Sequence, residues 1–241
     1  MSGKIDLHCH TKYSDGNSDI MTMALKAKEL GFQCLCVTDH DIETSCYWRG
    51  YEYVSAMKDS LPLPVIVGCE ISTPFGHHLL YGKKAIKNFF RMKSKLEWIG
   101  TNFDASLWVQ VFRDYVLNKA TVNWHAGVTI RNAMRPVQYA LVLNHPRSTS
   151  DFYDGYIPDA WYKLCAGFEV QNGMSKYDEK SPEVVEVLRK KMPCAIEFRN
   201  SDAHCPENMG RASNECERKV VDENSLLQWI DSLKSNKQKE G

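Results

Sequence analysis

The chain has 241 residues, of which 43% are hydrophobic, 25% charged and 11% aromatic, proportions that exclude a disordered or fibrous polypeptide and suit one compact core of α/β-barrel size. Its 30 Lys and Arg balance 30 Asp and Glu, so there is no global field to hold polyanions, and any nucleic-acid contact has to be local. The opening MSGKIDLHCH lacks the apolar run of a signal peptide and no stretch approaches the length of a membrane span, which gives the expectation of a cytoplasmic protein.

KIDLH alternates as a short strand, SDGN breaks it, and Ile20, Ala24, Ala27 and Leu30 recur at helical spacing until Gly31. CLCVTDH follows as a buried strand, a helical segment passes through Tyr51, Val54 and Met57, and VIVGCE is a third strand. This β-α-β-α-β order predicts a parallel α/β fold. STPFG then turns the chain into HHLLYG, a strand arriving without an intervening helix.

Residues 84 to 118 read as mostly helical, anchored by Phe89, Phe90, Leu96, Val109, Phe112 and Val116, whereas 119 to 138 show little periodicity. The segment from about 83 to 138 is therefore expected to be an insertion or cap within a single domain spanning 1–241. Alternation resumes with YALVLNHP, a short helix around Asp159 to Leu164, GFEVQN, a helix from Pro182 to Lys191, and CAIEFRNSDAH. SLLQWIDSLK, after Asp222 and Asn224, is an amphipathic closing helix, and SNKQKEG a frayed tail.

The nine cysteines are scattered through apolar stretches without C-x-x-C pairing and read as buried free thiols. Cys34 and Cys36 on one strand face are a weaker metal-binding alternative. The aromatic stripe Phe89, Phe90, Trp98 and Trp108 reads as packing ahead of base stacking.

The ionisable residues gather at strand ends. His8 and His10 end the first strand, Asp39 and His40 the second and Glu70 the third. His77 and His78 begin the fourth, His145 ends the next, and Asp202 and His204 end the last. In a parallel barrel all strand C-termini open on one face, and H-x-H spacing turns two imidazoles to the same side. Seven of the eight histidines occupy such positions, and their convergence on metal ions explains the pattern better than separate core roles.

Together DLHCHTKYSDG, VTDHD, GCEIS, NHPR and NSDAH resemble the motifs of the polymerase and histidinol phosphatase (PHP) superfamily of metal-dependent phosphoesterases, over roughly 4 to 82 and 139 to 211. The resemblance implies a distorted (β/α)7 barrel holding two or three divalent ions. His8, His10, Glu70 and Asp202 would hold one ion. Glu70 would bridge to a second that takes His145 and either His77 or His78, and Asp15, His40 and His204 would hold the third. Asp15 also has the alternative role of a turn residue in S-D-G.

A mixed imidazole and carboxylate set suits Mn, Fe, Zn or Mg ions. The implied reaction is hydrolysis of a phosphate ester, with paired ions activating water and clamping the phosphoryl oxygens. Arg147 would orient the phosphate, and Arg211 is the weaker candidate. Asp39 and Asp41 are read as partners of an imidazole or as turn caps, and His125 as a loop residue without a role. Glu70, Asp202 and Arg147 are thus the expected catalytic residues. The substrate would be a small phosphorylated metabolite, a nucleotide or an oligonucleotide end. The competing functions are amide or lactone hydrolysis on a similar site, and a proofreading module serving a polymerase.

Overall fold

The computed structural model describes residues 3–99, 105–117, 122–123, 128–129, 137–145, 157–174 and 181–240. The first half runs β1 (Gly3–Asp6), α1 (Ile20–Glu29), β2 (Phe32–Val37), α2 (Thr44–Ala56), β3 (Val65–Val67), β4 (Cys69–Thr73), β5 (Gly76–Tyr81), α3 (Lys83–Ile99) and α4 (Ala105–Val111). A π-helical turn (Phe112–Val116) and two short strands, β6 (Val122–Asn123) and β7 (Val128–Thr129), come next. The second half runs β8 (Ala140–Leu143), α5 (Asp159–Tyr162), β9 (Gly167–Asn172), α6 (Ser181–Lys191), β10 (Ile196–Asn200), β11 (Asn214–Cys216) and α7 (Glu223–Glu240).

Local chemistry sets these boundaries. Thr22 N donates to Asp19 Oδ1 at 2.8 Å, capping α1. The apolar side chains of Ile20, Met23, Ala24 and Ala27 are buried with Leu35 and Val37 of β2. Asp222 caps α7 in the same way, accepting from Ser225 N at 2.8 Å. That helix runs on to Glu240 through the tail expected to fray, with Lys237 and Lys239 placed to favour the negative end of its dipole.

Strands β1, β2 and β3 are parallel, with β11 antiparallel on the outer edge of β1. A second sheet has the order β10-β9-β8-β5-β4, parallel from β8 to β10 and antiparallel where β5 meets β8 and β4. Among the described residues these strands do not form the closed barrel that the resemblance implies. Strands β5 and β11 enter antiparallel, interrupting the winding of parallel β-α units. The two sheets touch instead through two single-residue bridges, Cys9 with Ala203 and His40 with Glu70.

The space between the sheets is filled by Ile5, Leu7, Cys36, Leu79, Tyr81, Val142 and Phe198, closed from below by Leu226, Trp229 and Ile230 of α7. Gly68 matters here, because a Cβ at that position would lie 2.5 Å from the Tyr81 ring. The fully buried tyrosine donates its hydroxyl to Leu7 O, tying β5 to β1. All nine cysteines are free; Cys34 and Cys36 lie in this interior, and Cys9 Sγ–H donates to Cys36 O at 3.2 Å. Burial pushes the Cys9 and Cys36 thiols up, away from the thiolate a metal would take.

Helices α3 and α4 and the π turn pack on the outer face of the second sheet, where Phe89, Phe90, Trp108 and Phe112 join Phe75, Leu141 and Trp161 in one core. Three members of the aromatic stripe are therefore packing residues, and the side chain of Trp98 lies outside the described residues. No described helix is long and apolar enough to cross a membrane.

Candidate functional site

The two bridges lie where the C-terminal ends of β1, β2, β8 and β10 meet the start of β4. His8 Nε2 and His10 Nε2 lie 3.1 Å apart. Glu70 Oε2 is 3.1 Å from the first and 2.9 Å from the second, and Asp202 Oδ1 is 3.3 and 3.2 Å away. Donor atoms around one ion with bonds of about 2.0–2.1 Å stand roughly 2.9–3.4 Å apart in octahedral or tetrahedral order. The two imidazole nitrogens have that spacing from each other and from each of the two carboxylate oxygens.

The other oxygen of Glu70 faces a second group. His77 Nδ1 is 2.8 Å and His145 Nε2 2.9 Å from Oε1, and Asn144 Nδ2 donates to it at 2.6 Å. A third group forms around Asp15, whose Oδ2 is 3.3 Å from His40 Nε2 and 3.2 Å from His204 Nε2, while His10 Nδ1 is 3.4 Å from Oδ1. Among the described residues, every ion pair that Glu70, Asp202 and Asp15 make is with a histidine.

Burial opposes charge on His10, yet its hydrogen bonds to Asp202 and Glu70 raise it to about 9. His8 is likewise raised against its burial by Asp202, Glu169 and Glu70. Burial pushes the Glu70 carboxyl up, but His8 and the bonds from His10, His145 and His77 hold it well below the usual range. A cluster of imidazolium and carboxylate at such spacing is the state that divalent cations replace, so the donor set fits metal ions.

Two ligand candidates carry unusual backbone. His145 has φ 26° and Asp202 φ 52°, left-handed values rare outside glycine and costing on the order of 1 kcal/mol or more. His204 Nδ1–H donates to Asp202 O at 2.9 Å, which turns its Nε2 toward Asp15. The loop carrying Asp15 is tied by Asp39, which accepts from Thr11 N, Thr11 Oγ1 and Ser14 Oγ at 2.7, 2.7 and 2.6 Å. Gly16 closes it against the backbone, where an added Cβ would lie 2.6 Å from His10 C and O. Asp41 accepts from Ser72 N and from Lys93 Nζ at 3.1 and 3.0 Å, fastening α3 to the rim.

The PHP domain family model matches residues 6–164. The chain belongs to the PHP domain family. Among solved structures, this PHP chain is similar to a two-domain protein from Bacteroides vulgatus containing a predicted PHP-like metal-dependent phosphoesterase, at 18% identity and TM-score 0.62. The match covers 98% of this chain and 63% of that one, so the chain spans less than two thirds of that relative's length. It is also similar to a protein from Bifidobacterium adolescentis provisionally named a metal-dependent phosphoesterase, at 15% identity and TM-score 0.50 over 94% of this chain and 95% of that one. An amidohydrolase from Chromobacterium violaceum with bound sulfate and no metal aligns at 17% identity and TM-score 0.53 over 94% and 96%. No curated protein sequence matches the chain.

The PHP fold brings His8, His10, Asp15, His40, Glu70, His77, His145, Asp202 and His204 together. His78 is not among them: it points to the other side of β5, where its Nδ1–H donates to Gly76 O at 3.1 Å and its Nε2 accepts from Trp161 Nε1 at 2.9 Å. Burial depresses it to about 3, so both nitrogens are engaged in a neutral ring. His78→Leu is expected to cost about 1–3 kcal/mol of stability by orphaning the Trp161 N–H and to leave turnover near that of the parent. His77→Ala should remove most turnover while the native fold is kept. Thermal melts and steady-state kinetics on the two variants check this.

Arg147 and His125 lie outside the described residues. Arg211 Nη1 donates to Gly173 O at 3.4 Å, beside the end of β9. Asp39 and Asp41 tie loops and do not orient an imidazole in the described contacts. Sequence reasoning missed Glu169, whose Oε1 lies 2.8 Å from His8 Nδ1, along with Asn144. The available signal was a carboxylate in the apolar strand run GFEVQN, since a buried charge there demands partners.

Proposed function

We propose that the chain is a metal-dependent hydrolase of phosphate esters, acting on a small phosphorylated metabolite, a nucleotide or an oligonucleotide end. The observation that carries this reading is the set of contacts at 2.9–3.3 Å that His8 Nε2 and His10 Nε2 make with each other, with Glu70 Oε2 and with Asp202 Oδ1, on a chain of the PHP family. In this reading His8, His10, Glu70 and Asp202 hold one ion of Mn, Fe, Zn or Mg. Glu70, His77 and His145 hold a second, and Asp15, His40 and His204 a third. When bound, the ions supply Lewis-acid stabilisation of phosphoryl oxygens and lower the pKa of water toward neutrality.

The protein's own part is placement. Glu70 separates two ligand groups by giving each one oxygen. Asp202, in its left-handed conformation, turns a carboxylate from the end of β10 back onto the histidines that follow β1. Arg147, directly after NHP, is assigned to the substrate phosphate, where a guanidinium pairs two oxygens at once.

The test is phosphate release from mono- and diesters, with ester and amide substrates alongside, after loading with Mn²⁺, Zn²⁺ or Mg²⁺. His8→Ala and Asp202→Ala are expected to abolish phosphate release while the circular dichroism spectrum is kept. Undiminished release from both would reject the assignment, and cleavage of amides alone would move the chain to the amidohydrolase reading.

A further inference from the structure

We propose that Glu169 is the positioning residue of this site, one buried carboxylate that selects the nitrogen His8 presents and holds the strained backbone of His145. The proposal rests on the metal-centre reading above. Glu169 sits on β9 with 1% relative exposure. Its Oε1 accepts from His8 Nδ1–H and Asn200 Nδ2, both at 2.8 Å, and its Oε2 from the backbone N–H of His145 at 2.8 Å and Asn172 Nδ2 at 3.2 Å.

Four donors therefore occupy the four acceptor positions of one carboxylate, and they come from the ends of β1, β8, β9 and β10. With its Nδ1 proton given to Glu169, His8 turns Nε2 to His10, Glu70 and Asp202 at 3.1, 3.1 and 3.3 Å. The other oxygen makes a charge-assisted bond to the peptide N–H of His145, whose φ of 26° is otherwise unfavourable. Asn172 also donates to Asp202 Oδ2 at 3.2 Å, so the same network reaches the last ligand candidate. Glu169 touches no position where substrate would react; it acts through His8 and His145.

Glutamine in its place has one acceptor oxygen and one NH2. Whichever way the amide sits, the NH2 meets two donors, so either the His8 side or the His145 side fails. Aspartate keeps the charge but is one methylene too short to span both.

Wild type, Glu169→Gln and Glu169→Asp are stripped with chelator and titrated with Co²⁺ by calorimetry, and the visible spectra of the loaded forms are recorded. The expected result is Co²⁺ binding by wild type, about 10- to 100-fold weaker binding by Glu169→Gln with a shifted ligand-field band, and partial recovery of both in Glu169→Asp. Failure of wild type to bind Co²⁺, Zn²⁺ or Mn²⁺ would overturn the metal-centre reading itself. Binding by wild type with the same affinity and spectrum in Glu169→Gln would overturn only the role of Glu169. If the variants do not fold, histidine ¹⁵N spectra of Zn²⁺-loaded wild type decide: a protonated, slowly exchanging His8 Nδ1 supports the proposal and an unprotonated Nδ1 overturns it.

Discussion

Glu70→Gln is expected to lower kcat/KM for phosphate release by roughly 10³-fold while leaving the fold in place. Both oxygens of Glu70 are committed: Oε2 faces His8 and His10, and Oε1 faces His77, His145 and Asn144. A glutamine fits the same volume but carries no charge, and its NH2 would face either two imidazole nitrogens of one group or two of the other. The variant should lose at least one bound ion per chain, read by elemental analysis after desalting. Its circular dichroism spectrum should match the parent, because β4 remains paired to β5 from Cys69 to Thr73. Full metal content with full activity would remove Glu70 from the centre of the site.

Chelation should expose a pH dependence that loading conceals. In the metal-free protein, His10 is raised from 6.5 to about 9, with burial opposing and the bonds to Asp202 and Glu70 prevailing; His8, His77 and His204 are raised as well. A histidine with a raised folded pKa contributes stability that is complete below its unfolded value and disappears as pH climbs through the folded one. The chelated protein should therefore lose melting temperature between about pH 6.5 and 9, and the loaded protein should not. Loading near neutral pH must also expel protons from these imidazoles. Calorimetric titration in buffers of different ionisation enthalpy is expected to show proton release at pH 7 that shrinks toward pH 9. Equal melting curves for both forms, together with uptake of metal without proton release, would contradict this account.

Much of the candidate site was legible because residues two apart on a strand turn their side chains to the same face. His8 and His10 announce themselves by alternation, and Asp202 and His204 repeat it at the far end of the chain. The ambiguity between His77 and His78 was real at the level of sequence, since adjacent strand residues point to opposite faces and only the register with β4 and the partner Trp161 decides. The parallel β-α-β-α-β opening was legible for the same reason, from alternating periods of hydrophobicity. The pairing of strands into two sheets was not, because it depends on long-range choices such as β11 returning to β1. Glu169 was missed and Asp39 was left between two roles, because their partners are donors distant along the chain, at His8, His145 and Asn200 for one and Thr11 and Ser14 for the other.

At the rim the two sheets are joined backbone to backbone where His10 N donates to Ala203 O at 2.9 Å and Asp41 N to Glu70 O at 3.0 Å. Each seam runs between partners in the candidate ligand set: His8 and His10 lie across one from Asp202, and His40 lies across the other from Glu70. Cations seated there would act as rivets through a split stave, fastening halves that the backbone merely pins. Amide hydrogen exchange at His10 and Asp41 should then slow markedly on loading, while exchange within β9 and β10 stays as it was.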